Sequence, residues 1–171
     1  MKSYMIPVII IGILFLVFFK RSTKVVKQAI TTIKGMTRGL RNNNPGNIRL
    51  TYYSDGRKRF WSGEVEGTDK SFKTFSSMAY GYRAIFALLK EYIGKGYNTI
   101  ETIINRYAPA SENHTENYIA TLEKRTGITR NTKIAASDLV SLTRLVSAIS
   151  FVENGQPADE VQINEGKKLL S

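Results

Sequence analysis

The chain contains no cysteine, and histidine occurs once, at His114. The first absence excludes disulfide frameworks, zinc knuckles and thiol nucleophiles. The second argues against a multi-histidine metal centre or a histidine-based catalytic triad, and His114, beside Asn113, reads as a surface residue. Neither a metal nor a cofactor is expected. Acidic residues are also scarce in one stretch: residues 20–60 hold eleven Lys/Arg against the single acid Asp55, whereas residues 61–171 carry equal numbers of each sign. The net charge of +11 therefore belongs to one segment, and that placement suits anionic lipid head groups, an acidic protein wall or a polyanion.

The segment before the basic stretch explains much of it. Residues 3–19 carry no charge, and from Met5 onward nearly every side chain is apolar, with Lys2 and Lys20-Arg21 as brackets. At ~1.5 Å per residue this run spans about 25 Å, short for a hydrocarbon core of ~30 Å, and snorkelling lysines cover the difference. A cleaved signal peptide needs small residues at its end, and Phe18-Phe19-Lys20-Arg21 offers none. Three segments are thus expected: a transmembrane anchor over 1–21, a basic connector over 22–38 and a soluble domain over 39–171. The positive flank keeps that domain on the cytoplasmic side when the chain is first made. The connector carries Val25, Val26, Ala29, Ile30 and Ile33 at helical spacing, which suits an amphipathic helix on a membrane surface.

The soluble part reads as α+β and mostly helical. Residues 41–47 form a turn-rich asparagine loop, and 48–53 and 58–61 read as short strands joined by a tight turn at Asp55-Gly56. From Ser77 the apolar spacing becomes helical, with Tyr82, Ile85, Phe86, Leu89, Tyr92 and Ile93 in one stripe ended by Gly94 and Gly96. Ile100, Ile103, Ile104 and Tyr107 form a second stripe that stops before Pro109. A third helix capped by Thr115, a fourth capped by Asp138 and running to Glu153, and a fifth opened by Pro157 complete the prediction.

Glu153 is the most informative residue. On the wheel of its helix, Leu142, Val146 and Ile149 lie within about 40° of it, so the carboxylate projects from the core-facing side. It also ends the helix, where the macrodipole disfavours an anion, and Asn154-Gly155 supplies a left-handed cap. Burial and dipole both push such a group towards the neutral acid, the form that protonates a leaving glycosidic oxygen. The competing reading is a carboxylate frayed outward into a salt bridge. Glu64, Glu66 and Asp69 form an acidic cluster that either supplies a second carboxylate or is a solvated loop. Of thirteen aromatics from Tyr52 to Tyr118 most belong in a core, and Trp61, Tyr107 and Tyr118 are the candidates for stacking on sugar rings.

The run Gly39-Leu40-Arg41-Asn42-Asn43-Asn44-Pro45-Gly46-Asn47-Ile48-Arg49 resembles the opening signature of a family of phage and prophage virion structural proteins. The likeness continues through Trp61-Ser62-Gly63, Phe72-Lys73-Thr74-Phe75, Gly81-Tyr82-Arg83-Ala84, Tyr107-Ala108-Pro109, Glu112-Asn113, Thr115, Tyr118-Ile119 and Glu153-Asn154-Gly155. A second resemblance, carried by Asn47-Ile48, Trp61-x-Gly63 and Phe72-x-x-Phe75-x-Ser77, is to bacterial glucosaminidases of lysozyme-like fold. In those enzymes the helix with the catalytic acid precedes this part; here Ala148 to Gly155 come after it, which implies a circular permutation. The resemblance implies a lysozyme-like domain with a small β-hairpin, in which Glu153 is the catalytic acid and Arg41, Asn44, Asn47, Trp61, Tyr107 and Tyr118 bind substrate.

Two functions are expected from these residues. The first is a membrane-anchored virion protein that cuts the glycan strand of peptidoglycan as the phage penetrates its host, as a muramidase, glucosaminidase or lytic transglycosylase. The alternative is a non-catalytic virion structural protein that bridges an internal membrane to the capsid. Either way the partners are a lipid membrane through residues 3–19, peptidoglycan, and capsid or other virion proteins. The location is then a single-pass membrane protein of the virion's internal membrane or the host inner membrane. Nucleic acid is not expected as a partner, because residues 20–60 lack a recognised binding motif.

Overall fold

The computed structural model describes residues 35–109 and 115–170. The expected anchor, almost all of the connector, and Glu112, Asn113 and His114 lie outside the described residues. Among the described residues no helix is long and apolar enough to cross a membrane. The chain divides into the units Met1–Met36 and Thr37–Ser171.

The unit Thr37–Ser171 is mostly helical with one small antiparallel sheet. The order is α1 (Arg38–Arg41), β1 (Glu64–Val65), β2 (Thr74–Phe75), α2 (Met78–Gly94), α3 (Ile100–Tyr107), α4 (Thr115–Thr126), α5 (Leu139–Asn154) and α6 (Glu160–Lys168). Each of four helices starts on an oxygen that accepts from an otherwise unpaired first-turn N–H. Ser77 caps α2, Thr99 caps α3 in a capping box with Thr102, Asp138 caps α5, and Asp159 caps α6. The apolar stripes then meet: Tyr82, Ile85, Phe86 and Leu89 of α2, Ile100, Ile103 and Ile104 of α3, Ile119 and Leu122 of α4, and Leu142, Leu145, Val146 and Ile149 of α5 form one core. Each such side chain taken fully from water contributes roughly 1.5–3 kcal/mol, so this core is the main source of the unit's helical packing.

Three expectations are corrected. The segments 48–53 and 58–61 do not form a regular hairpin ladder; a single bridge joins Tyr52 to Lys58. Residues 48–50 pair instead along their other edge with 71–73, through Lys73 N to Ile48 O and Leu50 N to Ser71 O, both 2.9 Å. The sheet proper is Glu64–Val65 against Thr74–Phe75, with Glu64 opposite Phe75. The last helix begins after Asp159 rather than at Pro157, because the Asp159 carboxylate accepts from both Val161 N and Gln162 N. Finally, Arg38–Arg41, read as connector and loop, is one helical turn whose first residue comes directly after the Thr37 cap.

Candidate active site

The asparagine loop is rigid because its amides replace missing sheet and helix partners. Asn42 donates to Asp69 at 3.0 Å, and Asn43 donates to the Phe75 carbonyl at 3.0 Å. Asn44 is fully buried; its amide donates to the Ile48 and Lys73 carbonyls, both 2.9 Å, while its oxygen accepts from Ile48 N at 2.9 Å. Asn43 and Asn47 stand at φ 49° and 45°, a left-handed region that asparagine tolerates better than most residues. The loop lies directly on the first turn of α2, and only glycine permits it: a Cβ at Gly81 would stand 2.0 Å from the Asn43 carbonyl oxygen.

The same loop grips the end of α5. Asn154 donates to the Pro45 carbonyl at 2.8 Å and to the Ser150 carbonyl at 2.9 Å, and its oxygen accepts from the Thr37 hydroxyl at 2.6 Å. Gly155, at φ 69°, closes the helix in the left-handed conformation, donating to the Phe151 carbonyl. Glu153 is thereby held on the inward side. Asn47 Nδ2 donates to Glu153 Oε2 at 2.8 Å, and the Tyr118 hydroxyl donates to Oε1 at 3.0 Å. Burial raises the carboxyl above its ordinary value; the two donors pull the other way and do not cancel it.

Two phenols complete this arrangement. The Tyr107 hydroxyl donates to the Gly46 carbonyl, and its ring meets that of Tyr118 edge-on, with centroids 6.3 Å apart. Burial first, and for Tyr107 the Glu153 charge second, hold both phenols well above their ordinary range. They remain protonated, so Tyr118 stays a donor to Glu153 across any working pH.

Glu153 opens onto a cleft of about 660 Å³, with Asn47, Arg49, Trp61, Tyr92, Arg106 and Tyr107 among its walls. Among the described residues that line it, Glu153 is the one carboxylate. Trp61 is seated from behind: its backbone N–H donates to Glu64 Oε2 at 2.9 Å, and the Lys73 ammonium stands 5.4 Å from its ring. Lys73 and Glu64 form an ion pair at 2.7 Å with both side chains fully buried. Burial lowers the lysine despite the carboxylate beside it. None of the acidic cluster lines the cleft, and it is not a solvated loop throughout. Glu64 is paired inside the fold, Asp69 caps the loop through Asn42, Ser71 N and Phe72 N, and Glu66 is exposed.

Of the residues named from the sequence, the structure brings Asn47 and Tyr118 onto Glu153, and Trp61 and Tyr107 onto the cleft wall. Asn44 is spent inside the loop, and Arg41 is exposed on α1 and not among the lining residues. Arg49, Tyr92 and Arg106 line the cleft although the sequence does not mark them as site residues. Arg49 sits in a basic run and Arg106 on the polar side of a helix, so spacing carries no signal for either. Among the described residues no group of three side chains is placed to hold a metal ion.

No family model matches the chain. The chain is similar to Protein P5 of Pseudoalteromonas phage PM2, with 42% identity over 127 residues, which covers 73% of this chain and 76% of that protein.

Proposed function

Starting from the fact that the chain belongs to the family of Protein P5 of Pseudoalteromonas phage PM2, we propose that it is a phage virion protein, anchored in a membrane by residues 3–19, whose lysozyme-like domain cleaves the glycan strand of peptidoglycan. The observation that carries this reading is Glu153: a carboxyl raised by burial, fixed by Asn47 and Tyr118, and opening onto a cleft. A neutral acid in that position protonates the glycosidic oxygen as the C1–O bond breaks. Hydrolases that use two carboxylates place them about 5–5.5 Å or 6.5–9.5 Å apart. A lytic transglycosylase type of cleavage needs Glu153 alone. There a hydroxyl of the sugar attacks its own C1, returns its proton to the Glu153 carboxylate, and no water is consumed.

The second reading is a non-catalytic virion structural protein that bridges an internal membrane to the capsid. Kinship with a phage protein supports it more directly than it supports bond cleavage. The occupation of both Glu153 oxygens by fixed donors also suits a purely structural group.

Replacing Glu153 with Gln separates the two. The catalytic reading expects the intact chain to cut purified cell walls and the Glu153→Gln variant to lose ~10²–10⁴-fold of that rate, with thermal unfolding near the wild-type temperature. Lysis unchanged in the variant rules out Glu153 as the acid. Absence of lysis in the wild type leaves the structural reading. Wall fragments without new reducing ends mark the intramolecular route.

A further inference from the structure

The hairpin tip carries the largest concentration of exposed aromatics in the described domain, and nothing in the cleft chemistry uses them. Tyr52, Tyr53 and Phe60 are 59%, 50% and 51% exposed. They lie among Arg49, Arg57, Lys58 and Arg59; Arg57 pairs with Asp55 at 2.8 Å on the surface, and Lys58 turns inward to Glu64 and Glu66 at 3.3 and 3.5 Å. The backbone between them closes through Tyr53 N to Arg57 O at 2.8 Å and a left-handed Gly56 at φ 83°.

The cations sit on the ring faces. The Arg57 guanidinium lies 5.5 Å from the Tyr53 centroid, and the Lys58 ammonium 4.4 Å from that of Phe60. A face covered by a cation is not an open platform for a sugar ring or a base. Both residues are about half exposed, each with a cation alongside. Exposed aromatics beside basic groups match the boundary between lipid head groups and acyl chains, where a ring enters the apolar side while a neighbouring cation meets phosphate. The chain leading to the domain adds a tether: seventeen residues, 20–36, separate the apolar run from Thr37, a reach of at most roughly 60 Å.

We propose that the hairpin over residues 49–60 is a second membrane contact, which docks on an anionic phospholipid surface through Tyr52, Tyr53 and Phe60 with the exposed Arg57 and Arg59 on the head groups. Thr51 and Trp61, at the hairpin's base, line the cleft, so docking holds the mouth of the cleft beside the bilayer. The tether part of this inference rests on the proposed anchor.

The absence of native cysteine makes the test clean. Ser54, exposed at the tip, is replaced (Ser54→Cys) in the full chain and labelled with the environment-sensitive fluorophore NBD. The protein is mixed with vesicles of phosphatidylglycerol and phosphatidylethanolamine, or of phosphatidylcholine alone. The expected result is a blue shift and a gain in intensity on the anionic vesicles, absent on phosphatidylcholine and lost in the double variant Tyr53→Ser/Phe60→Ser. Flotation of the vesicles reports the anchor separately and is expected to survive that double variant. An unshifted probe on anionic vesicles overturns the hairpin contact whether or not the chain floats. Failure to float overturns only the anchor, and a shift under those conditions still supports the contact. The same shift produced by duplex DNA, or by lipid-free cell-wall sacculi, overturns lipid as the occupant.

Discussion

The asparagine loop and the hairpin after it are neighbours in sequence and opposites in physics. In the loop, Asn42, Asn43, Asn44 and Asn47 each spend a side-chain amide on a partner in another segment, and Gly81 lets the backbone settle against a helix. In the hairpin a single bridge joins the two arms, and the large side chains face outward. Both are irregular in secondary structure. The hairpin is held at its base, through Leu50 N to Ser71 O and the Lys73 ammonium to the Arg59 carbonyl, and its tip is left outward; the loop is held along its length, and it is the one that positions Glu153. Irregular backbone is therefore a poor guide to looseness; the destination of its polar groups is a better one.

The contrast can be broken at the loop first. Asn44→Ala removes the partners of Ile48 N and the Lys73 carbonyl inside the fold, at roughly 1–3 kcal/mol for each orphaned group. A loss of about 3 kcal/mol in urea unfolding of the full chain is expected. A loss below about 1 kcal/mol would show that the loop is held by something other than its amides. A smaller effect tests the acid itself. Because the folded carboxyl of Glu153 is raised above its ordinary 4.5, the native state binds the proton more tightly than the unfolded chain does. The stability this contributes is complete below 4.5 and is lost as pH rises through the folded value. Thermal unfolding of wild type and Glu153→Gln should therefore be closest in acid, with the wild type falling behind as pH increases. Parallel curves would place the carboxylate in water. The smallest effect belongs to the hairpin: Tyr52→Ser should move stability by no more than about 0.5 kcal/mol, since the ring packs on little. A larger loss would mean the two regions are not so different.

How legible each region was in the sequence depends on the same distinction. The helices α2, α3 and α5 announce themselves because a periodic apolar stripe and a capping oxygen are local properties, and Ser77, Thr99 and Asp138 fall where the stripes begin. The inward aim of Glu153 was legible for the same reason, from Leu142, Val146 and Ile149 on its own helix. Asn44 was not. An asparagine before Pro-Gly reads as a solvated turn, and its burial depends on carbonyls at Ile48 and Lys73 that no local pattern marks. The sheet at Glu64–Val65 and Thr74–Phe75 is too short for a period-two signal. The Glu64–Lys73 pair is invisible because each charge alone reads as surface.

The Thr37 hydroxyl bond to Asn154 also has a mechanical meaning. The polypeptide that leaves the domain toward the N-terminus passes through Thr37, and that residue is fastened at 2.6 Å to the neighbour of Glu153. A pull on the N-terminal segment is then borne first by α1 and the last turn of α5, where Asn154 also holds Pro45. Tension reaches the acid and the loop that fixes it before it reaches the hydrophobic core. Load, and not only pH or substrate, is thus a variable to which the geometry around Glu153 is directly exposed.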